Sequence, residues 1–316
     1  MSDSAAISCT KLKKIYRVGF WGKKVTGLAE LNLRVEPGEV FGFIGPNGAG
    51  KTTTIKTLVG LQNPTAGKAQ IFGHPTGTPA ANALLGFLPE RPYFYAHLTG
   101  RELVRFYGNL HGRNGPELEE EIEMLLERVG LRKFESVKLS AYSKGMLQRA
   151  GLAQAMLNQP KLIILDEPMS GLDPMGRMLV RDLILEEKER GTTIFFSSHI
   201  LADVEQICDR VGLVVNGEMK ACGPVQDLLS QSVQWVDCVV SHIDANALEG
   251  TQMGTDGDRI RVRVSAEQLD EFLDSVRSQQ GRILEVQPKR QGLEELLTDQ
   301  MGLDIRQDDP KKMGVL

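Results

Sequence analysis

Two short stretches carry residue types and spacings that can do chemistry. The first is GPNGAGKT, Gly45 to Thr52, which fits G-x-x-x-x-G-K-[ST] at every fixed position. Gly45, Gly48 and Gly50 let the backbone wind tightly, so that several N–H groups can point at one phosphate. Lys51 supplies a point charge to the outer phosphate oxygens, and Thr52 offers a hydroxyl to a Mg²⁺ ion that keeps most of its water. The second stretch is LIILDEP, where Asp166 and Glu167 stand just beyond four apolar residues. Asp166 is placed to hold Mg²⁺ through a water, and Glu167 to polarise an attacking water as general base. A third stretch, YSKGM from Tyr142 to Met146, is chemically quiet. Ser143 there can N-cap a helix with Met146, Ala150, Ala153 and Leu157 on its buried face. A capped helix start suits an anion, and Gly145 lets backbone approach one closely.

These stretches need elements to hold them. VFGFI at 40–44 is a buried strand running straight into the glycine loop, and TTIKTLVGL continues as a helix. Residues 7–16 open the chain as a strand, and Leu31, Leu33 and Val35 alternate as a half-buried one. Residues 99–135 are helical: Thr99 with Glu102 makes a capping box, and Leu118, Ile122, Leu125, Leu126 and Val129 recur at helical spacing. The acidic run Glu119–Glu121 is expected to be a solvated helix face. After LIILDEP follow the helix GRMLVRDLILEEKERG, the strand TTIFFSSH, a helix near 200–209, and a hairpin about Asn216-Gly217. Strands alternating with helices imply an α/β fold with a largely parallel sheet. Beyond Ser230 the pattern changes. VQWVDCVV, RIRVRV and RILEVQ are strands, SAEQLDEFLDSVRSQ and GLEELLTDQ are helices, and GTDGD is a turn, giving a second small α/β unit.

Composition narrows the function classes. The 316 residues are 41% hydrophobic and 25% charged, ordinary for a soluble globular chain, and the net charge of −4 gives no global basic field for nucleic acid. Cys9, Cys208, Cys222 and Cys238 are scattered without a C-x-x-C pair, which fits reduced thiols in a cytosol. MSDSAAISCTKLKK lacks a signal-peptide core, and no apolar run is long enough to span a bilayer. Service to a membrane would therefore run through a partner.

Taken together the motifs resemble the ATP-binding subunits of ABC transporters, over residues 7–228. GPNGAGKTT, with Asn47 and Thr53 inside it, is similar to the Walker A motif, and LIILDEP to Walker B. SGLD, ending at Asp173, resembles the D-loop, and SSH, ending at His199, the switch-histidine loop. Tyr16 stands where this family has an aromatic that stacks on adenine, and YSKGMLQR occupies the place of the signature motif. The resemblance implies a P-loop cassette with a RecA-like core, an antiparallel β subdomain and a helical subdomain at 90–160. The cassette would span 1–230, an accessory α/β domain 231–303, and a polar disordered tail 304–316. It also implies two ATP molecules held between two cassettes head to tail. Each site would combine Lys51, Thr52, Asp166, Glu167 and His199 of one chain with Ser143, Gly145 and Asp173 of the other. His199 is assigned to the γ-phosphate and the attacking water.

Two departures stand out. The signature's first glycine is Lys144 and its final glutamine is Met146; Lys144 either adds charge near phosphate or, as favoured, projects to solvent. In LGFLPERPYF the family's Q-loop glutamine is Glu90, whose carboxylate can still offer oxygen to Mg²⁺. Both departures resemble a subset serving export-type permeases. In this family the region around Tyr93, Phe94 and Tyr95 meets the membrane subunit, and aromatics suit such contacts. The resemblance thus implies an ATPase, with ATP and Mg²⁺, lying on the inner face of the cell membrane through an integral-membrane permease. Its second cassette would be another copy or a different chain, and no nucleic acid is expected. The alternatives are a soluble ABC-type ATPase and a non-catalytic regulatory subunit. The interval between Lys51 and Asp166 leaves no room for the long coiled coil of chromosome-acting relatives.

Overall fold

The computed structural model describes residues 4–19, 22–229, 233–243 and 250–290. The chain divides into two compact units, with the boundary between Pro224 and Val225. The first unit opens with β1 (Ile7–Val18), β2 (Lys23–Val35) and β3 (Val40–Ile44). It continues with α1 (Lys51–Leu58), β4 (Ala66–Ile71), β5 (His74–Pro75), α2 (Pro79–Asn82) and β6 (Leu85–Leu88). Then come α3 (Gly100–Leu110), α4 (Pro116–Arg128), α5 (Lys144–Met156), β7 (Leu162–Asp166) and α6 (Pro174–Glu189). It closes with β8 (Thr193–Ser198), α7 (Leu201–Ile207), β9 (Arg210–Val215) and β10 (Glu218–Pro224).

All ten strands join one sheet in the order β5-β4-β1-β2-β10-β9-β3-β8-β7-β6. From β9 to β6 the neighbours are parallel; β1, β2, β4 and β5 form an antiparallel arm. The parallel strands β3, β7 and β8 are buried along their whole length. That follows from their continuous apolar runs, since helices cover both faces of such a sheet. β2 alternates instead, with Leu31, Leu33 and Val35 inward. Phe41 stacks on Phe195 at 5.8 Å, and Phe43 lies 5.3 Å from the same ring, fixing β3 against β8 at the centre of the core. The register then sets Phe43, Ser197 and Asp166 in one row at the carboxyl ends of three adjacent strands. Open α/β sheets bind ligands at that edge.

Several expectations change. Glu119–Glu121 is solvated only at Glu120, which is exposed. Glu121 is buried, pairs with Arg113 and accepts from the Asn158 backbone N–H at 2.8 Å. Glu119 pairs with Arg101 at 2.9 Å and with Arg105. The arginines come from α3 and the turn after it, so ion pairs hold Glu119 and Glu121 while Glu120 faces water. The α5 helix is covered around most of its circumference, Gln148, Gly151 and Leu152 included, because β6, α3 and α4 all pack on it. Met146 is only half-buried. Strands β4 to β6 and α2 carry too little alternation to be seen in the sequence. The Asn216-Gly217 hairpin is present with φ of 53° and 78°, the type I′ signs.

The second unit contains α8 (Val225–Leu228), β11 (Val233–Ser241), β12 (Thr251–Asp256), β13 (Arg259–Ser265), α9 (Leu269–Ser278) and β14 (Arg282–Arg290). The four strands form an antiparallel sheet, β12-β13-β11-β14. Its core is Val236, Cys238, Val240, Ile260, Val262 and Val264, with Phe272 and Val276 from α9 laid over them. β12 runs through Asp256, so the turn is confined to Gly257-Asp258. GLEELLTDQ and the polar tail lie outside the described residues. No helix among the described residues is long and apolar enough to cross a membrane.

Candidate active site

The glycine loop leaves β3 and starts α1. A Cβ on Gly45 would lie 2.2 Å from the Val214 carbonyl oxygen, so the loop can pass beneath β9 only as glycine. Gly50 has φ of 109°, and a Cβ there would meet the Gly27 carbonyl at 2.7 Å. The Asn216-Gly217 hairpin buttresses the loop: Gly217 N–H donates to Ala49 O at 2.9 Å. Gly50 caps α1 without a side chain, so the first-turn N–H groups have no side-chain acceptor and remain for an anion. Lys51 is buried. Its ammonium donates to Gly45 O at 2.7 Å and stands 3.7 Å from Glu167 Oε1.

Asp166 ends β7, 4% exposed, and accepts from Ser197 Oγ at 2.7 Å. Burial pushes its carboxyl above the ordinary value. The Ser197 hydrogen bond lowers it, nearby Glu167 and Glu90 raise it, and the Thr52 hydroxyl lowers it. Glu167 takes the left-handed conformation, φ 51°, which turns the chain sharply after the strand. Its N–H donates to Ser197 Oγ at 3.0 Å, and its Oε2 is 2.7 Å from His199 Nδ1. Glu167 and Glu90 thus crowd Asp166, and Glu167 is the carboxylate that faces the buried Lys51 ammonium. An all-oxygen set of Asp166, Glu90 and Thr52 suits a hard divalent cation brought in by phosphates. No three His, Cys, Asp or Glu among the described residues make a self-contained metal site.

Asn47, Gly48, Gly50, Lys51, Thr52, Thr53, Glu90, Glu167 and His199 line one cleft of about 300 Å³. Gly45, Asp166 and Tyr16 adjoin its lining: Gly45 O accepts from Lys51, Asp166 is bonded by the Thr52 hydroxyl, and the Tyr16 hydroxyl is 3.2 Å from Thr53 Oγ1. Ser143, Gly145 and Asp173 are elsewhere, in a separate cleft of about 720 Å³. Ser143 caps α5, accepting from Met146 N–H at 3.2 Å, and Asp173 caps α6, accepting from Gly176 N–H at 2.8 Å. Lys144 is exposed but does not simply project into solvent. Its side chain crosses Gly171, where a Cβ would lie 2.2 Å from its Nζ, so it links the signature stretch to the D-loop. Ser197, which bridges Asp166 and Glu167, belongs to no motif, and its one sequence signal is its place one residue before the end of TTIFFSS. Gly27, Pro46 and Ser170 also line the first cleft.

A strand-loop-helix phosphate cradle beside an acidic strand end, with an antiparallel arm and a helical insert, defines a P-loop nucleotide triphosphatase of the ABC cassette type. Comparison with known proteins agrees. The ABC transporter family model matches residues 28–170. An uncharacterised ABC transporter ATP-binding protein of Nostoc sp. is 41% identical over 301 residues, 94% of this chain and 90% of the relative. The bacitracin transport ATP-binding protein BcrA of Bacillus licheniformis is 39% identical, covering 75% of this chain and 76% of the relative. Among solved structures, an ATP-binding subunit of an ABC transporter aligns at TM-score 0.63 and 33% identity, over 71% of this chain and 91% of the other. A dimeric cassette, MJ0796, in a post-hydrolysis state with ADP and Pi, shares the fold at TM-score 0.61 and 23% identity, over 69% and 98%. The chain belongs to the ABC transporter ATP-binding family: it is a transporter ATPase that binds and hydrolyses ATP.

Proposed function

We propose that the chain closes head to tail on a second cassette around Mg²⁺-ATP and drives an integral-membrane permease, in the export direction. The observation that carries the reading is the separation of the two half-sites. Lys51, Thr52 and Glu167 line one cleft while Ser143, Gly145 and Asp173 line another. One chain therefore offers two incomplete nucleotide sites, and a second cassette completes both. Within each site the first-turn N–H groups of α1 and Lys51 hold the phosphates. Glu167, oriented by His199 and by its bond to Ser197, takes the proton of the attacking water. Thr52, Asp166 and Glu90 would hold Mg²⁺, which when bound neutralises charge on the phosphate oxygens. Loss of the γ-phosphate removes the contacts to Ser143 and Gly145, and the pair opens.

Tyr93 supports the permease contact, being 97% exposed on the loop after Glu90. The YSKGM signature and Glu90 support the export subset, and likeness to a relative named for bacitracin transport supports a transport role. The chain would then lie on the inner face of the cell membrane through its partner. Phosphate release by the purified chain tests the enzymatic part. Glu167→Gln should slow it at least a hundredfold, the scale of general-base catalysis; a variant as fast as wild type would exclude Glu167 as the base.

A further inference from the structure

Tyr16 is tied to the nucleotide cleft by more than its place in the sequence. Its hydroxyl donates to Gln62 Oε1 at 2.8 Å. The amide of Gln62 turns its other end to α1, donating to Thr53 O at 2.6 Å and to Thr57 Oγ1 at 3.0 Å. Only a neutral amide can accept from a phenol on one side and donate twice on the other; a carboxylate lacks the donors and an apolar side chain lacks both. The neighbouring residue reinforces the tie. Lys14 donates to Asn63 O at 2.6 Å, and its ammonium sits 5.4 Å from the centre of the Tyr16 ring, within cation–π range. On another side the ring lies against Gly27, where a Cβ would meet Tyr16 Cε2 at 2.6 Å, and Gly27 lines the phosphate cleft.

We infer that Gln62 is a positioning residue for ATP binding, locking the Tyr16 ring to the helix whose first turn carries Lys51 and Thr52. The inference rests on the reading of Tyr16 as the adenine platform. Tyr16 belongs to the antiparallel arm, through β1, whereas the phosphate contacts belong to α1. Gln62 fixes the spacing between base and phosphate contacts before ATP arrives, so the ring need not be ordered on binding.

The test uses the full chain, with steady-state ATPase and binding of a fluorescent mant-ATP. Gln62→Met keeps the side-chain length and removes all three hydrogen bonds. It should raise KM and the mant-ATP Kd about fivefold, the scale of ordering one side chain on binding, and leave kcat within about twofold. Inhibition by inorganic tripolyphosphate, which has no base, should stay at the wild-type concentration. Tyr16→Phe, which also loses the 3.2 Å contact to Thr53 Oγ1, should weaken mant-ATP at least as much as Gln62→Met, and the double variant should be no worse than Tyr16→Phe alone. Equal weakening of ATP and tripolyphosphate would overturn the inference, since Gln62 would then act on the phosphate helix. So would multiplicative effects in the double variant. If Tyr16→Ala weakens mant-ATP and Gln62→Met does not, the positioning role falls while the platform stands. If Tyr16→Ala leaves mant-ATP binding unchanged, the platform reading itself fails and the inference with it.

Discussion

Removing the charge of Asp166 should stabilise the nucleotide-free protein while disabling it. The carboxylate is almost wholly buried and shares its surroundings with Glu167 and Glu90. Its folded pKa is raised above the ordinary 3.8, chiefly by burial. The folded state holds this proton more tightly than the unfolded one, so stability falls as pH rises from the ordinary value through the raised one. Above that value the full cost is present. Asp166→Asn keeps an oxygen to accept from Ser197 Oγ, at 2.7 Å in the wild type, and removes the charge. Relief of desolvation and repulsion is partly offset by weakening of a charge-assisted hydrogen bond. A net gain of about 1 kcal/mol is expected, typical of a functional site traded against stability. For a unit of this size that raises Tm by roughly 2–4 °C. The assay is a thermal melt of wild type and Asp166→Asn without nucleotide near neutral pH. It is repeated at lower pH, where the gap should narrow as wild-type Asp166 takes up its proton, and with Mg²⁺-ATP, where wild type should gain more. A variant that melts at or below wild type at neutral pH would refute the reasoning. The charge would then be compensated within the chain, and no cation need be supposed.

Other perturbations separate packing from chemistry. Gly45→Ala puts a methyl 2.2 Å from the Val214 carbonyl; it should cost about 1–3 kcal/mol in a chemical melt and weaken mant-ATP more than tenfold. Tyr93→Ala should lower stimulation of the ATPase by the permease in proteoliposomes and spare hydrolysis without it. Phe94→Ala should instead lower Tm, because that ring meets Tyr107 edge-on at 6.4 Å and lies over the Gly151 position of α5. Glu121→Ala orphans the Asn158 N–H and leaves Arg113 without its buried partner; a loss of about 1–3 kcal/mol is expected from the urea midpoint.

Much of the parallel core was legible because its signals are local. Four or five apolar residues in a row bounded by a glycine loop or an acidic pair specify β3 and β7, and Ser143 and Thr99 cap the helices their positions predict. The phosphate cleft follows, since its members sit at the ends of those strands. What stayed hidden depends on contacts between distant segments. The acidic run Glu119–Glu121 gives no hint that Arg101, Arg105 and Arg113 converge on it. Ser197 acquires its role only when β8 is set beside β7 in a register that pairs it with Asp166. Lys144 could not be placed by sequence, because only the fold brings Gly171 under its side chain. Gln62 lies in a turn with no motif, and nothing local reveals that its amide reaches both Tyr16 and α1.

On the proposed arrangement, the two clefts of one chain become complete sites only against a second cassette. The most direct measurement is the mass in solution of the 34.8 kDa chain carrying Glu167→Gln, with Mg²⁺-ATP, with Mg²⁺-ADP and without nucleotide. The mass should double with Mg²⁺-ATP alone, and adding Ser143→Arg from the second cleft should hold the chain monomeric while mant-ATP still binds. A Glu167→Gln chain that stays monomeric in saturating Mg²⁺-ATP, or one whose doubling is indifferent to Ser143→Arg, would show that the two clefts do not meet across a dimer.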